Sequence, residues 1–266
     1  MSPVVNRFLV AILGLPVVLG VVYLGGWALL ALALVAALLG VHEYAALVRQ
    51  LKPLVLAAYL GVAAMLIGAE LGGTRWLLAG VLATMLLTFV MQGLTGASQP
   101  ATVSMGATVL GAAWIGLGLS FVLLIRDLEH GVLAIFTVLI AVFAADTFAF
   151  FAGRLVGRHR MAPVMSPRKT WEGFFVGCAA AIGVAFFAIY PDRDDFLNVW
   201  QSLVLGLVLA VAAALGDLFE SLIKRDMGAK DSGRIMGAHG GILDRVDAHL
   251  FAAPAAYYLI AAFGHA

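Results

Sequence analysis

The sequence is poor in what soluble domains and secreted scaffolds are built from. Charged residues make up only 12% of the 266, and the one cysteine, Cys178, lies in an apolar run. A lone cysteine excludes an intrachain disulfide. So little charge, with 63% hydrophobic residues and a mean hydropathy of +1.05, excludes an ordinary soluble domain. There is no internal repeat, no low-complexity tail and no second, soluble domain. The apolar run behind Arg7 is followed by no clear small-residue cleavage site, so it reads as a retained first helix. The net charge of +1 says nothing about partners, and no nucleic acid is expected among them.

What is present is apolar runs of bilayer length. A spanning helix needs about 17–25 predominantly apolar residues, and the chain offers them at 8–24, 27–48, 53–71, 75–92, 105–125, 131–151, 174–190, 200–220 and 250–264. The expected fold is an all-α polytopic membrane protein of about nine transmembrane helices, with two charged cytoplasmic loops forming a site. It reads as a single integral membrane domain over 1–266, with N-terminal helices in 1–130 and the charged motifs in 131–266. Gly25-Gly26, Pro53, Gly72-Gly73 and the stretch from Pro191 to Asp195 punctuate the runs. Gly25-Gly26 leaves the second span little room for its turn. Glycines at 14, 20, 61, 68, 80, 111, 116 and 118 fit close helix packing in lipid.

Nine spans would gather thirteen Lys and Arg residues on one side, Arg7 and Arg49 to Arg245, and leave Arg75, Arg126 and Arg193 on the other. Positive charge marks the cytoplasmic face, so both charged loops are expected there, within the cell (inner) membrane.

The first charged stretch, 216–250, holds Asp217, Glu220, Asp226, Asp231, Asp244 and Asp247 among Lys224, Arg225, Lys230, Arg234 and Arg245. If it begins as a helix, Asp217, Glu220, Ser221 and Lys224 share a face. Carboxylates beside ammonium and guanidinium groups suit a divalent cation and the phosphates it bridges. His239, Gly240 and Gly241 stand among them, and the glycines would admit backbone N–H groups close to a ligand, or a sharp turn.

The second stretch, 146–173, runs from Asp146 through Arg154 and Arg158 to Ser166-Pro167-Arg168-Lys169-Thr170. Ser166 or Thr170 is expected to cap the following helix, whose N-terminus would favour an anion. Lys169, Arg154 and Arg158 would add charge-assisted bonds to a polyphosphate. Elsewhere the plainer reading holds. Arg7, Arg49 and Lys52 anchor helices at the boundary, and Glu43 and Glu70, near span ends, read as interface residues.

The segment Ser221-x-Ile223-Lys224-Arg225, Lys230-Asp231, Gly233, Gly237, His239-Gly240-Gly241-Ile242-x-Asp244-Arg245-Val246-Asp247 resembles the signature of phosphatidate cytidylyltransferases, or CDP-diacylglycerol synthases. Asp146-x-x-Ala149, Gly153-Arg154, Gly157-Arg158 and Ser166-Pro167-x-Lys169-Thr170-x-Glu172-Gly173 resemble that family's other motif. The first hundred residues are similar only as apolar helices. Met236 replaces the usual Leu, Ile or Phe with a residue of similar volume, and Phe150 removes a hydroxyl where tyrosine is common.

The resemblance implies a magnesium-dependent, typically dimeric membrane enzyme that makes CDP-diacylglycerol and pyrophosphate from CTP and phosphatidate. It implies a metal pair, Mg2+ with K+, on aspartates matching Asp217 and Asp244, to which Asp247 and Asp146 are added as candidates. Lys224, Arg225 and Arg245 are expected at the phosphates, and Ser166, Lys169, Thr170 and Arg154 at CTP. A CTP-dependent lipid kinase and a secondary transporter stay open as alternatives. A CDP-alcohol phosphotransferase is a third alternative, against which stands the missing Asp-Gly and spaced-Asp pattern.

Overall fold

The computed structural model describes residues 16–95, 100–233 and 241–265. Its elements are α1 (16–24), α2 (Gly26–Leu47), α3 (Val55–Thr95), α4 (Ala101–Arg126), α5 (Gly131–Val156), β1 (Arg160–Ala162), β2 (Ser166–Thr170), α6 (Trp171–Ile189), α7 (Val199–Asp226) and α8 (Leu243–Ala262). Short 3-10 turns lie at Arg49–Leu51 and Tyr190–Asp192. Among the described residues, six helices are long and apolar enough to cross a membrane. The chain is an integral membrane protein of helical, polytopic type.

Within the described residues every apolar run falls on one of these helices, but the boundaries move. The charged stretches are less loop-like than expected, since α5 continues to Val156, α7 continues to Asp226 and α8 begins at Leu243. Within this helical architecture the 160–170 stretch, expected as loop, is a two-stranded antiparallel hairpin in which Arg160 pairs with Thr170 and Ala162 with Ser166.

The residues divide into two compact units, one of 1–127 with 231–245 and one of 128–230 with 246–266. The segment 231–245 therefore groups with the N-terminal helices, not with the C-terminal half to which the sequence assigns it.

In the first unit α2, α3 and α4 pack on one another. An unbroken helix as long as α3 would measure about 60 Å, roughly twice the hydrocarbon thickness. The chain resolves this at Gly72 and Gly73. Gly73 takes φ 62°, which only glycine adopts freely, and the helix breaks there. The two halves then fold against each other, with Gly68 facing the Trp76 carbonyl and Gly80 facing the Met65 backbone so closely that no Cβ fits. Gly25 and Gly26 (φ 68° and 52°) make the tight turn between α1 and α2. The Arg126 side chain closes that turn by donating to the carbonyls of Val22 (3.0 Å) and Tyr23 (2.8 Å), which α1 leaves without intrahelical partners.

In the second unit α5, α6 and α7 pack on one another. Small residues four apart set the spacing, as lipid-embedded helices favour. A Cβ on Gly173 would meet the Ala149 carbonyl at 2.6 Å, one on Gly177 the Ala145 carbonyl at 2.7 Å, and one on Gly206 the Ile182 Cα at 2.5 Å. Gly177→Leu should therefore force α5 and α6 apart at a cost of about 1–3 kcal/mol. Gly183→Leu, at a position with nothing within 4 Å, should be tolerated. Thermal unfolding of the two variants in the same detergent gives the comparison, and the expected result is a lower midpoint for Gly177→Leu alone.

Candidate active site

The site grows from the way β2 ends and α6 begins. Ser-Pro-Arg-Lys-Thr is extended, since proline disfavours helix for the residue before it. Thr170 then caps α6, its hydroxyl accepting from the Gly173 N–H at 3.2 Å. Of the two expected caps, Thr170 performs the task, and Ser166 is instead a strand residue opposite Ala162. Thr170 is wedged against α5, where a Cβ on Gly153 would meet its hydroxyl at 3.0 Å and one on Gly157 would meet it at 2.8 Å. Glu172 fastens the start of the hairpin. Its carboxylate accepts from the backbone N–H groups of Arg158 (3.1 Å) and His159 (3.2 Å), and Nδ1 of His159 lies 2.6 Å away.

One residue before the cap, Lys169 projects from β2 to Asp217 on α7. Its Nζ lies 2.6 Å from Asp217 Oδ2 and donates to the Ala214 carbonyl at 3.3 Å. On α7 the expected helical face is realised. Ser221 Oγ donates to Asp217 Oδ1 at 3.4 Å, and Lys224 Nζ lies 2.8 Å from Glu220 Oε2. Glu220 is 1% exposed, so its negative end depends on Lys224. Gly216 brings α8 against α7 one residue before Asp217, since a Cβ there would meet the Asp247 carbonyl at 2.5 Å. The result is an acidic focus in which Asp146 faces the charges of Asp217 and Asp247, offset by Lys169. Asp247 in turn faces the charge of Asp217, offset by Lys224, and shares a hydrogen bond with Glu220.

Of the residues predicted for the site, the second unit thus brings together Asp146, Asp217, Asp247, Lys169, Lys224 and Thr170. Arg154 is exposed in the last turn of α5. Arg225 reaches back to the hairpin, its Nε donating to the Met165 carbonyl at 3.3 Å. Asp244, Arg245 and Gly241 belong to the first unit. There the Asp244 carboxylate accepts from the backbone N–H groups of Gly241 (2.9 Å) and Ser232 (3.3 Å), while Arg245 is exposed on the first turn of α8. His239 and Gly240 lie outside the described residues.

Two acids were missed as site residues. Glu220 carried a legible signal, three residues after Asp217 and four before Lys224. Glu43 is corrected outright. It is not an interface residue but 2% exposed, and its Oε2 accepts from the Leu243 N–H at 3.0 Å. Only its place in an otherwise apolar helix hinted at this.

The donor set is hard oxygen, which suits Mg2+. Among the described residues, however, no three His, Cys, Asp or Glu side chains gather into a ready-made cage. Such a set fits a cation held by one or two carboxylates together with substrate phosphates, the usual manner of Mg2+.

A family model described as the cytidylyltransferase family matches residues 5–263. A phosphatidate cytidylyltransferase of Staphylococcus haemolyticus (strain JCSC1435) is 33% identical over 252 residues, covering 93% of this chain and 95% of its own. One from Mycobacterium bovis (strain ATCC BAA-935 / AF2122/97) is 39% identical over 158 residues, 58% of this chain and 50% of its own. One from Staphylococcus aureus (strain COL) is 40% identical over 146 residues, 55% of each. With nearly its whole length matched, the chain belongs to the cytidylyltransferase family.

Proposed function

We propose that this protein transfers the cytidylyl group of CTP to phosphatidate, giving CDP-diacylglycerol and pyrophosphate. The observation that carries the reading is the meeting of Lys169 with Asp217, a cation from one charged motif and a carboxylate from the other, 2.6 Å apart. A phosphatidate phosphate is already anionic at neutral pH, so the reaction needs little from a general base. Its obstacle is bringing one anion onto the α-phosphorus of another. A phosphate oxygen of the lipid forms the new bond to that phosphorus as the bond from that phosphorus to the α,β-bridging oxygen breaks, and pyrophosphate leaves with the electron pair.

Lys169, Lys224 and Arg225 lower the repulsion and receive the leaving charge. Ser166, Thr170 and Arg154 orient CTP, joined by the N-terminal N–H groups of α6. Asp217, with Asp146 or Asp247 beside it, would hold Mg2+ together with the substrate phosphates. Asp244 as a further ligand, Arg245 at phosphate, His239, Gly240 and Gly241 at the nucleotide, K+ as a second ion and a homodimer all rest on the family resemblance. Held there, Mg2+ would supply Lewis-acid charge neutralisation at the phosphates. Nine crossings, counting both halves of α3, would put both motifs on the Lys- and Arg-rich side, which the positive-inside rule makes cytoplasmic. The lipid then arrives from the bilayer and CTP from the cytosol.

With phosphatidate as acceptor, label from α-labelled CTP should enter the lipid fraction, and label from γ-labelled CTP should leave as pyrophosphate. If γ-label enters lipid while CDP accumulates, the chain is a kinase instead. Asp217→Asn should abolish turnover and Lys169→Met should reduce it by roughly 100-fold, both in protein that inserts and extracts normally. Near-normal rates in either would remove that residue from the site. In a Cys178→Ser background, Asp194→Cys should react with an impermeant maleimide on intact cells and Arg160→Cys only after permeabilisation. The opposite labelling would reverse the orientation.

A further inference from the structure

We infer that Glu43, on a helix remote in sequence from either motif, is a positioning residue for Asp244. The inference rests on the reading of Asp244 as part of the site. Glu43 sits near the end of α2 and is almost fully buried. Its Oε2 accepts from the N–H of Leu243, the first residue of α8. That N–H is one a helix cannot satisfy internally, and a carboxylate there also meets the positive end of the helix dipole. Glu43 therefore caps α8 from another helix.

The fit extends to both sides of the carboxylate. A Cβ on Gly233 would stand 2.6 Å from Glu43 Oε1, and one on Gly241 2.5 Å from Oε2. The chain thus closes on Glu43 from two directions, and only glycine permits either approach. The same two backbone stretches hold Asp244. Ser232, beside Gly233, and Gly241 donate their N–H groups to its carboxylate at 3.3 and 2.9 Å. The backbone that Glu43 fixes is the backbone that aims Asp244. An acid within an apolar helix is costly, and an apolar residue would fill the space as well. What it would not do is accept from Leu243 or set the separation of Gly233 from Gly241.

The test compares Glu43→Ala, Glu43→Asp and Glu43→Gln with the unaltered protein in kcat, KM for CTP, thermal midpoint and Mg2+ concentration for half-maximal activity. Glu43→Ala and Glu43→Asp, which lose the contact with Leu243, should lower kcat by roughly 10–100-fold and raise the Mg2+ requirement, with KM for CTP little changed. Glu43→Gln keeps an acceptor oxygen and should recover part of the loss. A merely structural role would lower the thermal midpoint but leave the kcat and Mg2+ titration of the folded fraction untouched, and that result overturns the inference. If Glu43→Ala does not fold, Glu43→Asp decides, and an unaltered Mg2+ titration there is equally fatal. Asp244→Asn is run in parallel. Normal turnover in Asp244→Asn sinks the site reading itself, whereas an inactive Asp244→Asn beside fully active Glu43 variants sinks only the role given to Glu43.

Discussion

An ammonium group and a carboxylate in contact, Lys169 with Asp217, link the hairpin to α7, and the rest of the site is arranged around them. Neither side chain is fully buried, so the pair contributes less to stability than a buried one would. Exposed pairs are worth about 0.2–1 kcal/mol. Its effect is on position. Thr170 fixes the end of β2 against Gly153 and Gly157, and Lys169, one residue earlier, can then reach only one way. The more buried pair, Lys224 with Glu220, differs in kind. Losing Lys224 would take a hydrogen-bond partner from the buried Glu220 carboxyl, which costs roughly 1–3 kcal/mol.

The acidic focus is repulsive by construction. Asp146 meets the charges of Asp217 and Asp247, Asp247 meets that of Asp217 while sharing a hydrogen bond with Glu220, and two lysines offset the acids only in part. That gathering of carboxyl groups makes the site receptive to a cation without building a closed cage for one. A site completed by its substrate's own phosphates is suited to an anionic donor and an anionic acceptor, since each alone would meet carboxylates.

How much of this was legible depends on the distance over which the information is spread. The helices were legible because lipid demands long apolar runs, and the break at Gly72-Gly73 because glycine interrupts them. The face shared by Asp217, Glu220, Ser221 and Lys224 followed from helical spacing alone. The hairpin at 160–170 was not legible, because Ser166 to Thr170 has no alternation of apolar and polar residues, and what holds it is Glu172 on the next helix and Thr170 as that helix's cap. Glu43 was misjudged because its partner Leu243 lies 200 residues away. Its neighbours in sequence show an acid near a span end and nothing more.

The Arg126 closure of α1 has a consequence for biogenesis. The carbonyls of Val22 and Tyr23 receive their donors from a residue 104 and 103 positions later in the chain, respectively. During synthesis α1 is complete long before Arg126 has been made. Until then those carbonyls must keep water or lipid headgroups as partners, because hydrocarbon offers none. The end of α1 therefore waits at the membrane surface, and the Gly25-Gly26 turn takes its final form only when α4 arrives.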